Sequence, residues 1–474
     1  MFRKITIKLK EWTLRSRRHP LILRGARQVG KTYLVRELAR AEFEHYLELN
    51  FEKDPSLSTL FRSRDPKLIG DLLVARFSIP LVDGRTLLFL DELQDAESVV
   101  LESLRYFYEE RPALHIIAAG SLLEFMLDAG ERTRRGLEEF PMPVGRIEYM
   151  YVAPMDFEEF LTACGRQGLV DWLAHYALGD EVPDALDEEL HRLLRQYLVI
   201  GGMPAAVAAY ADGDTSSAAR EQQTIISTYQ DDFAKYARRA RPELLQKVFQ
   251  ALPSVLGRKM IYTHLDGDSK SRDLSAAFNL LRLARVVAKV CHTPANGIPI
   301  GFGVDESTFK PLFLDVGLSC RMLGLHLTDF LLDGDTLLEN RGAICEQFVG
   351  QHLLYSGLEY EEPKAYCWMR ENANASAEVD YVVQYGTDLV PVEVKHGRSG
   401  SMKGLHFFLN DKARHFAVRL NADKPSFVPD CRVKDSLGRE CVFALLSLPL
   451  YMICQLERLA RPLVHERNRV VKPA

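Results

Sequence analysis

The chain has no Cys-x-x-Cys pair and no long apolar run. Its eight cysteines stand singly along 474 residues, which argues against a metal ribbon or a disulfide framework and fits reduced, buried thiols. No charged-then-apolar leader occupies Met1 to Trp12. No apolar stretch reaches the roughly 20 residues that a bilayer-spanning helix needs. The expectation is a cytoplasmic protein with no membrane partner. Basic residues are not in excess: 60 Lys and Arg stand against 65 Asp and Glu, for a net charge of −5. That excludes a global positive field, so any contact with nucleic acid has to be local. Internal repeats and low-complexity tracts are missing too. At 47% hydrophobic and 26% charged the composition is that of a globular chain, and the length allows three or four domains.

What the sequence does have begins at Gly25. The stretch GARQVGKT, Gly25 to Thr32, fits the G-x-x-x-x-G-K-[ST] phosphate-binding loop without a mismatch. The apolar run Leu21-Ile22-Leu23 reads as a buried strand before it, and TYLVRELAR as a helix after it. A Gly-rich turn from strand to helix gathers backbone N–H groups around one point, and the helix N-terminus adds its positive dipole end. Gly25, Arg27, Gln28, Val29, Gly30, Lys31 and Thr32 are the candidate nucleotide ligands. Lys31 is placed to reach the β- and γ-phosphates of ATP, and the Thr32 hydroxyl to ligate Mg²⁺.

Thr86 to Leu90 reads as a strand that delivers Asp91 and Glu92 at its C-terminal end. Asp91 is the candidate second holder of the Mg²⁺ shell, and Glu92 the group that polarises the attacking water. A third strand, His115 to Ala119, ends in Gly120-Ser121. Ser121 is a candidate contact to the γ-phosphate, and a serine there is equally a helix N-cap. Alternation of such strands with helices, through a last strand near Arg146 to Val152, implies a parallel sheet covered by helices.

Beyond about residue 155 the pattern turns helical, with an acidic stretch, GDEVPDALDEE, and a break at GGMP (Gly201 to Pro204). It suits a helical lid over residues 156–240. Residues 241–330 read as helices Leu244 to Leu256 and Leu274 to Val290, then a Pro/Gly loop and a strand near Phe309 to Leu314. Helices followed by a hairpin suggest a winged-helix-like region. Arg282, Arg285 and Lys289 fall on its last helix, as a solvated face or a surface for a nucleic-acid groove.

In residues 335–474 a helix carrying Glu346 precedes the strand Ala365 to Arg370. Two strands follow, YVVQY and Leu389 to Lys395. If Gly386-Thr387 is a two-residue turn, Tyr385 lies opposite Asp388. Counting outward, Asp380 then lies opposite Glu393, and Glu378 opposite Lys395. A three-residue turn would shift this register by one. Asp…Glu-x-Lys on a hairpin has the form of a PD-(D/E)xK nuclease core. Asp380 and Glu393 are the candidate metal ligands, Glu346 a further carboxylate, and Lys395 the candidate for activating water or neutralising phosphate charge. Alternating charges are also the ordinary solvent face of a half-buried sheet.

Taken together, the segments RGARQVGKT, FLDELQD, AAGS, VGRIEYMYVAPMDFEEF, GGMP, FKPLFLDVGL, ENRGAICEQFV, EVDYVV and PVEVKHG resemble those of prokaryotic AAA-type ATPases. Those proteins carry a C-terminal PD-(D/E)xK nuclease-like domain of unknown function. The resemblance runs from about residue 20 to 397. It implies an α/β multidomain protein: a P-loop ATPase core with a parallel sheet over residues 1–155, then the helical lid, the winged-helix-like region and an α/β nuclease-like domain. Arg146 matches the family's Gly-Arg position and is a candidate for stabilising transition-state charge, within one chain or across a subunit interface; Arg134 and Arg135 are its rivals. Two expectations follow: an ATP-hydrolysing protein, with Mg²⁺, coupled to a nuclease-like domain acting on DNA, or a nucleotide-controlled switch whose C-terminal domain binds nucleic acid or protein without cutting. Whether chains associate into a homo-oligomer stays open.

Overall fold

A computed structural model describes residues 1–120, 145–233, 241–326, 341–372, 375–397 and 402–471. The chain divides into two compact units. The first comprises Met1–Pro154 with the segments Leu283–Val286 and Gly357–Pro363; the second comprises Met155–Arg282, Val287–Ser356 and Lys364–Ala474.

The first unit is built on five strands: β1 (Leu21–Arg24), β2 (His45–Asn50), β3 (Thr86–Asp91), β4 (His115–Ala119) and β5 (Glu148–Tyr151). Their order is β2-β3-β4-β1-β5, and every pairing is parallel. β3 and β4 are buried along their whole length, as continuous apolar runs in a covered parallel sheet should be. Ile22, Leu88, Leu90 and Ile116 pack with Phe51, Phe61, Leu104 and Phe107 in one core on the sheet. The helices Lys31–Glu42, Pro66–Phe77 and Ser98–Glu110 alternate with these strands. The order sets the site. β4 lies between β1 and β3, so the C-terminal ends of β1, β4 and β3 come out side by side. In such sheets ligands bind at those ends.

The second unit starts with helices Phe157–Ala163, Gln167–His175, Asp184–Ile200, Pro204–Ala211 and Thr215–Asp232. Asp156 opens the first as a capping box with Glu159. Helices Pro242–Ala251 and Ser271–Leu283 follow, and then β6 (Val287–His292) and β7 (Asp305–Phe313). Here the sequence expectation of one helix from Leu274 to Val290 is corrected. The helix ends at Leu283, Arg285 sits at φ 61°, and Lys289 is on β6. A left-handed residue stops the helix, and the β-branched run around Val286-Val287 prefers a strand. Arg282, Arg285 and Lys289 therefore share no helix face. Lys289 stacks on Phe309, and Arg285 on Tyr151.

β8 (Ala365–Asn372) and β9 (Ala375–Val379) complete a sheet of order β7-β6-β8-β9. A third sheet joins β10 (Tyr381–Tyr385), β11 (Asp388–Val394), β12 (Phe416–Asn421), β13 (Ser426–Lys434) and β14 (Glu440–Pro449) in the order β10-β11-β12-β14-β13. Buried Asp315 ties two segments of this unit together. Its Oδ2 accepts from Gly202 N at 2.6 Å and its Oδ1 from Leu318 N at 3.0 Å, as the N-cap of the helix Val316–Met322. No helix among the described residues is long and apolar enough to cross a membrane.

Candidate functional site

The first site stands at the C-terminal ends of β1 and β3. Gly25 opens the loop at φ 150°, where a Cβ would meet Val152 O at 2.3 Å, so only glycine fits. Gln28 and Gly30 also take positive φ, and Gly30 is the N-cap of the helix Lys31–Glu42. Lys31 is buried, and its ammonium folds back onto its own loop, donating to Gly25 O and Ala26 O at 2.8 Å each. Burial lowers its pKa to about 8 against the opposing pull of Glu92 and Asp91. An incoming phosphate offers that ammonium a stronger, charged partner than two carbonyls.

Thr32 Oγ1 donates to Asp91 Oδ1 at 3.3 Å, and Asn50 Nδ2 donates to Asp91 Oδ2 at 3.2 Å. Burial, then the charges of Glu92 and Glu48, raise the Asp91 pKa to about 6. A carboxyl raised in this way gains from a cation beside it, and the hydroxyl and carboxylate meeting here are the donor types of a magnesium shell. Glu92 follows at φ 52°, an uncommon conformation for a non-glycine residue, and its Oε2 accepts from Gln94 Nε2 at 2.7 Å.

The second site lies wholly in the second unit and is centred on Lys310 of β7, which is 2% exposed. Its Nζ is 3.2 Å from Glu346 Oε2 and 3.4 Å from Asp380 Oδ1, and it forms an ion pair with Glu378 Oε1. An ammonium has three donors, and three carboxylates surround this one. Burial pulls the Lys310 pKa down, but Glu346, Asp380 and Glu378 outweigh it and hold the group charged, well above its ordinary value. Asp380 Oδ2 accepts from Val394 N at 2.8 Å, and Lys395 Nζ donates to Glu393 Oε1 at 2.6 Å. The other oxygen of Glu393 is buried without a hydrogen-bond partner. Burial, then the Asp380 charge, raises the Glu393 pKa to about 7; burial lifts Glu346 to about 8 against the pull of Lys310.

Three family models match the chain: an AAA domain over residues 17–161 and two domains of unknown function, DUF8612 over 191–329 and DUF4143 over 341–429. The chain carries an AAA-type P-loop ATPase domain. Domains of this kind bind nucleotide, usually with Mg²⁺. No curated protein sequence matches. Among solved structures, the Walker-type ATPase paby2304 of Pyrococcus abyssi is 16% identical, with 67% of this chain and 94% of that chain covered at a TM-score of 0.42. A Signal Transduction ATPase with Numerous Domains (STAND) protein with a tetratricopeptide repeat sensor, PH0952 from Pyrococcus horikoshii, is 10% identical, with 74% of this chain and 45% of that chain covered at a TM-score of 0.22.

Within the ATPase domain, Lys31 and Thr32 follow β1, Asp91 ends β3 and Glu92 comes directly after it, with β4 between the two strands. Ser121, Arg134 and Arg135 lie outside the described residues. Arg146 is on the surface: its Nε donates to Glu109 Oε1 at 3.0 Å and its guanidinium lies over Tyr108. Arg24, the last residue of β1, stacks on Tyr149 and Tyr151 of β5.

In the second unit the hairpin has the two-residue turn, with Tyr385 opposite Asp388 and Tyr381 opposite Val392. The expected pairing of Glu378 with Lys395 is corrected. Glu378 is on β9, opposite Met369 of β8. The chain leaves the hairpin ladder at Asp380, whose side chain caps Val394 instead of continuing the pairing. Sequence reasoning missed Lys310. Its one signal is a lone cation inside the otherwise apolar run Phe309 to Leu314.

The Lys310 contacts bear directly on whether a divalent ion fits. The oxygens of Glu346, Glu378 and Asp380 lie within 4.8 Å of one another, close enough to share one ion. The ammonium of Lys310 is on those same oxygens. The oxygens that would ligate an ion are already taken by that ammonium, so a divalent ion fits here only by displacing Lys310.

Proposed function

We propose that the protein is an ATP-hydrolysing switch whose C-terminal nuclease-like domain, residues 335–474, recognises nucleic acid or protein without cutting it. The observation that carries this reading is the Lys310 ammonium seated among Glu346, Glu378 and Asp380. A cutting centre of this type needs a Lewis acid on its carboxylates. Here the Lys310 ammonium occupies one oxygen of each of the three.

On the ATPase side the geometry supports the following roles. Backbone groups of Gly25 to Thr32 cradle the phosphates, and Lys31 exchanges its loop carbonyls for phosphate oxygens. Thr32 and Asp91 would hold the Mg²⁺ that accompanies ATP, which would offset phosphate charge. Glu92 accepts a proton from the water that attacks the γ-phosphorus, and Gln94 keeps its carboxylate oriented. Arg146 is the candidate for a trans-acting finger. Its side chain is 40% exposed, and a solvent-screened surface ion pair holds it only weakly on Glu109.

The competing reading, a metal-dependent nuclease, keeps one observation in its favour: Asp380, Glu393 and Lys395 converge, and Glu393 keeps a buried oxygen unsatisfied. Incubating the purified protein with plasmid and Mg²⁺ or Mn²⁺, with and without ATP, separates the two. The switch reading expects the plasmid intact under every condition. Nicking that disappears in Asp380→Ala would establish the nuclease instead.

A further inference from the structure

The acidic centre of the second unit has the oxygen ligands of a metal site and already holds a cation. Four carboxylates, Glu346, Glu378, Asp380 and Glu393, face two ammonium groups, Lys310 and Lys395. The two ammonium groups divide the work. Lys395 satisfies one oxygen of Glu393, while Lys310 takes one oxygen from each of the other three. Glu393 is 6% exposed and its remaining oxygen has no partner, so the centre has one acceptor more than its own donors reach. Buried acceptors are normally satisfied, so the orphan oxygen shows that the two ammonium groups do not cover all the acceptors of the centre.

We propose that this centre is a latent divalent-metal site locked by the ammonium of Lys310, which binds no divalent ion while Lys310 is present and becomes a metal site when that ammonium is removed.

Three features support it beyond the charge count. First, the three oxygens on Lys310 are the same three whose mutual spacing suits a shared ion. The ammonium therefore stands in the ion's place rather than beside it. Second, Lys310 is 2% exposed on β7, opposite Val290 of β6, so its ammonium lies inside the centre and not at its solvent edge. Third, access is not what keeps metal out, because the Glu378 side chain is 43% exposed and opens the centre to solvent. A dication arriving there meets a resident charge that it can displace only by leaving a lysine buried without partners, which is costly.

The inference deepens the non-cutting reading of the same centre, and the two can fail separately. Plasmid nicking by wild type would end the non-cutting reading; Asp380-dependent metal binding without nicking would end only this one. Mn²⁺ is titrated by calorimetry into the nucleotide-free full-length chain, which leaves the P-loop without the phosphates that recruit metal. Wild type and Asp380→Asn are expected to give the same trace. Lys310→Ala and the volume-preserving Lys310→Gln are expected to gain one site, at least tenfold tighter than any in wild type, and to lose it when Asp380→Asn is added. If the Lys310 variants fold only in Mn²⁺, the gained site shows as a rise in Tm that wild type lacks. Asp380-dependent Mn²⁺ uptake by wild type overturns the proposal. So do folded Lys310 variants with no gained site, and variants that stay unfolded in millimolar Mn²⁺.

Discussion

Thr32 donates its hydroxyl to Asp91 at 3.3 Å, across 59 positions of sequence. The contact joins the end of the phosphate loop to the end of β3, with β4 between the two strands. Two motifs readable one at a time thereby become one site, and most of the expected chemistry follows from their meeting.

Lys31→Ala should weaken nucleotide binding far more than it disturbs the fold. The ammonium is held only by two loop carbonyls, while in the complex it meets phosphate charge. A fluorescent ATP analogue should bind at least about tenfold more weakly, the scale of one charge-assisted contact of about 1.5–3 kcal/mol. Unchanged affinity would remove Lys31 from the phosphate site.

Arg146→Ala should lower turnover with little effect on nucleotide affinity, and only at concentrations where chains associate. The Arg146 side chain is 40% exposed and held by Glu109 in a surface pair. Rate measured against protein concentration checks this, and mixing Arg146→Ala with Glu92→Gln should restore part of the activity. A rate equal to wild type at every concentration turns attention to Arg134 and Arg135.

His115 should make the ATPase domain acid-sensitive. Its Nε2 donates to Thr13 O at 3.1 Å, and its Nδ1 accepts from the Arg18 guanidinium at 3.2 Å, so both nitrogens are used by the neutral ring. Burial is the main cause that lowers its pKa to about 4. The unfolded chain binds this proton near pH 6.5 and the folded chain only near pH 4, so unfolding is favoured as pH falls. The His115 contribution is fully present above about pH 6.5 and is lost as pH falls through 4. In His115→Gln, Tm should fall less steeply over that window than in wild type; equal slopes would refute the assignment.

Asp315→Ala should destabilise the second unit by about 2–6 kcal/mol. It strands the buried N–H groups of Gly202 and Leu318, and each unsatisfied buried donor costs about 1–3 kcal/mol. Asp315→Asn keeps an acceptor oxygen and should lose about half as much in urea unfolding. A smaller loss in Asp315→Ala than in Asp315→Asn would contradict the account.

The ATPase core was legible because its signals are local. A strand, a loop and a helix follow one another from Leu21 to Glu42, and Asp91 and Glu92 sit where an apolar run stops. The hairpin was legible for the same reason: the Gly386-Thr387 turn fixes which residues face each other. Lys310 could not be read this way. Its partners lie 36 and 70 positions away at Glu346 and Asp380, and the contact exists only once β7, the helix Arg341–Leu354 and the turn before β10 are packed together. The helix drawn through Val290 failed for the opposite reason. Apolar spacing fits a helix and a buried strand equally over so short a run, and only the left-handed turn at Arg285 decides between them.

The most direct measurement is phosphate release by Glu92→Gln beside wild type, with ATP affinity followed in parallel. Glu92 is at φ 52°, immediately after Asp91, with Gln94 on its carboxylate. If it accepts the proton of the attacking water, Glu92→Gln binds ATP as wild type does and turns over at least about a hundredfold more slowly, the scale of a positioned base. Wild-type turnover in Glu92→Gln would contradict the account of an ATP-hydrolysing switch at its centre.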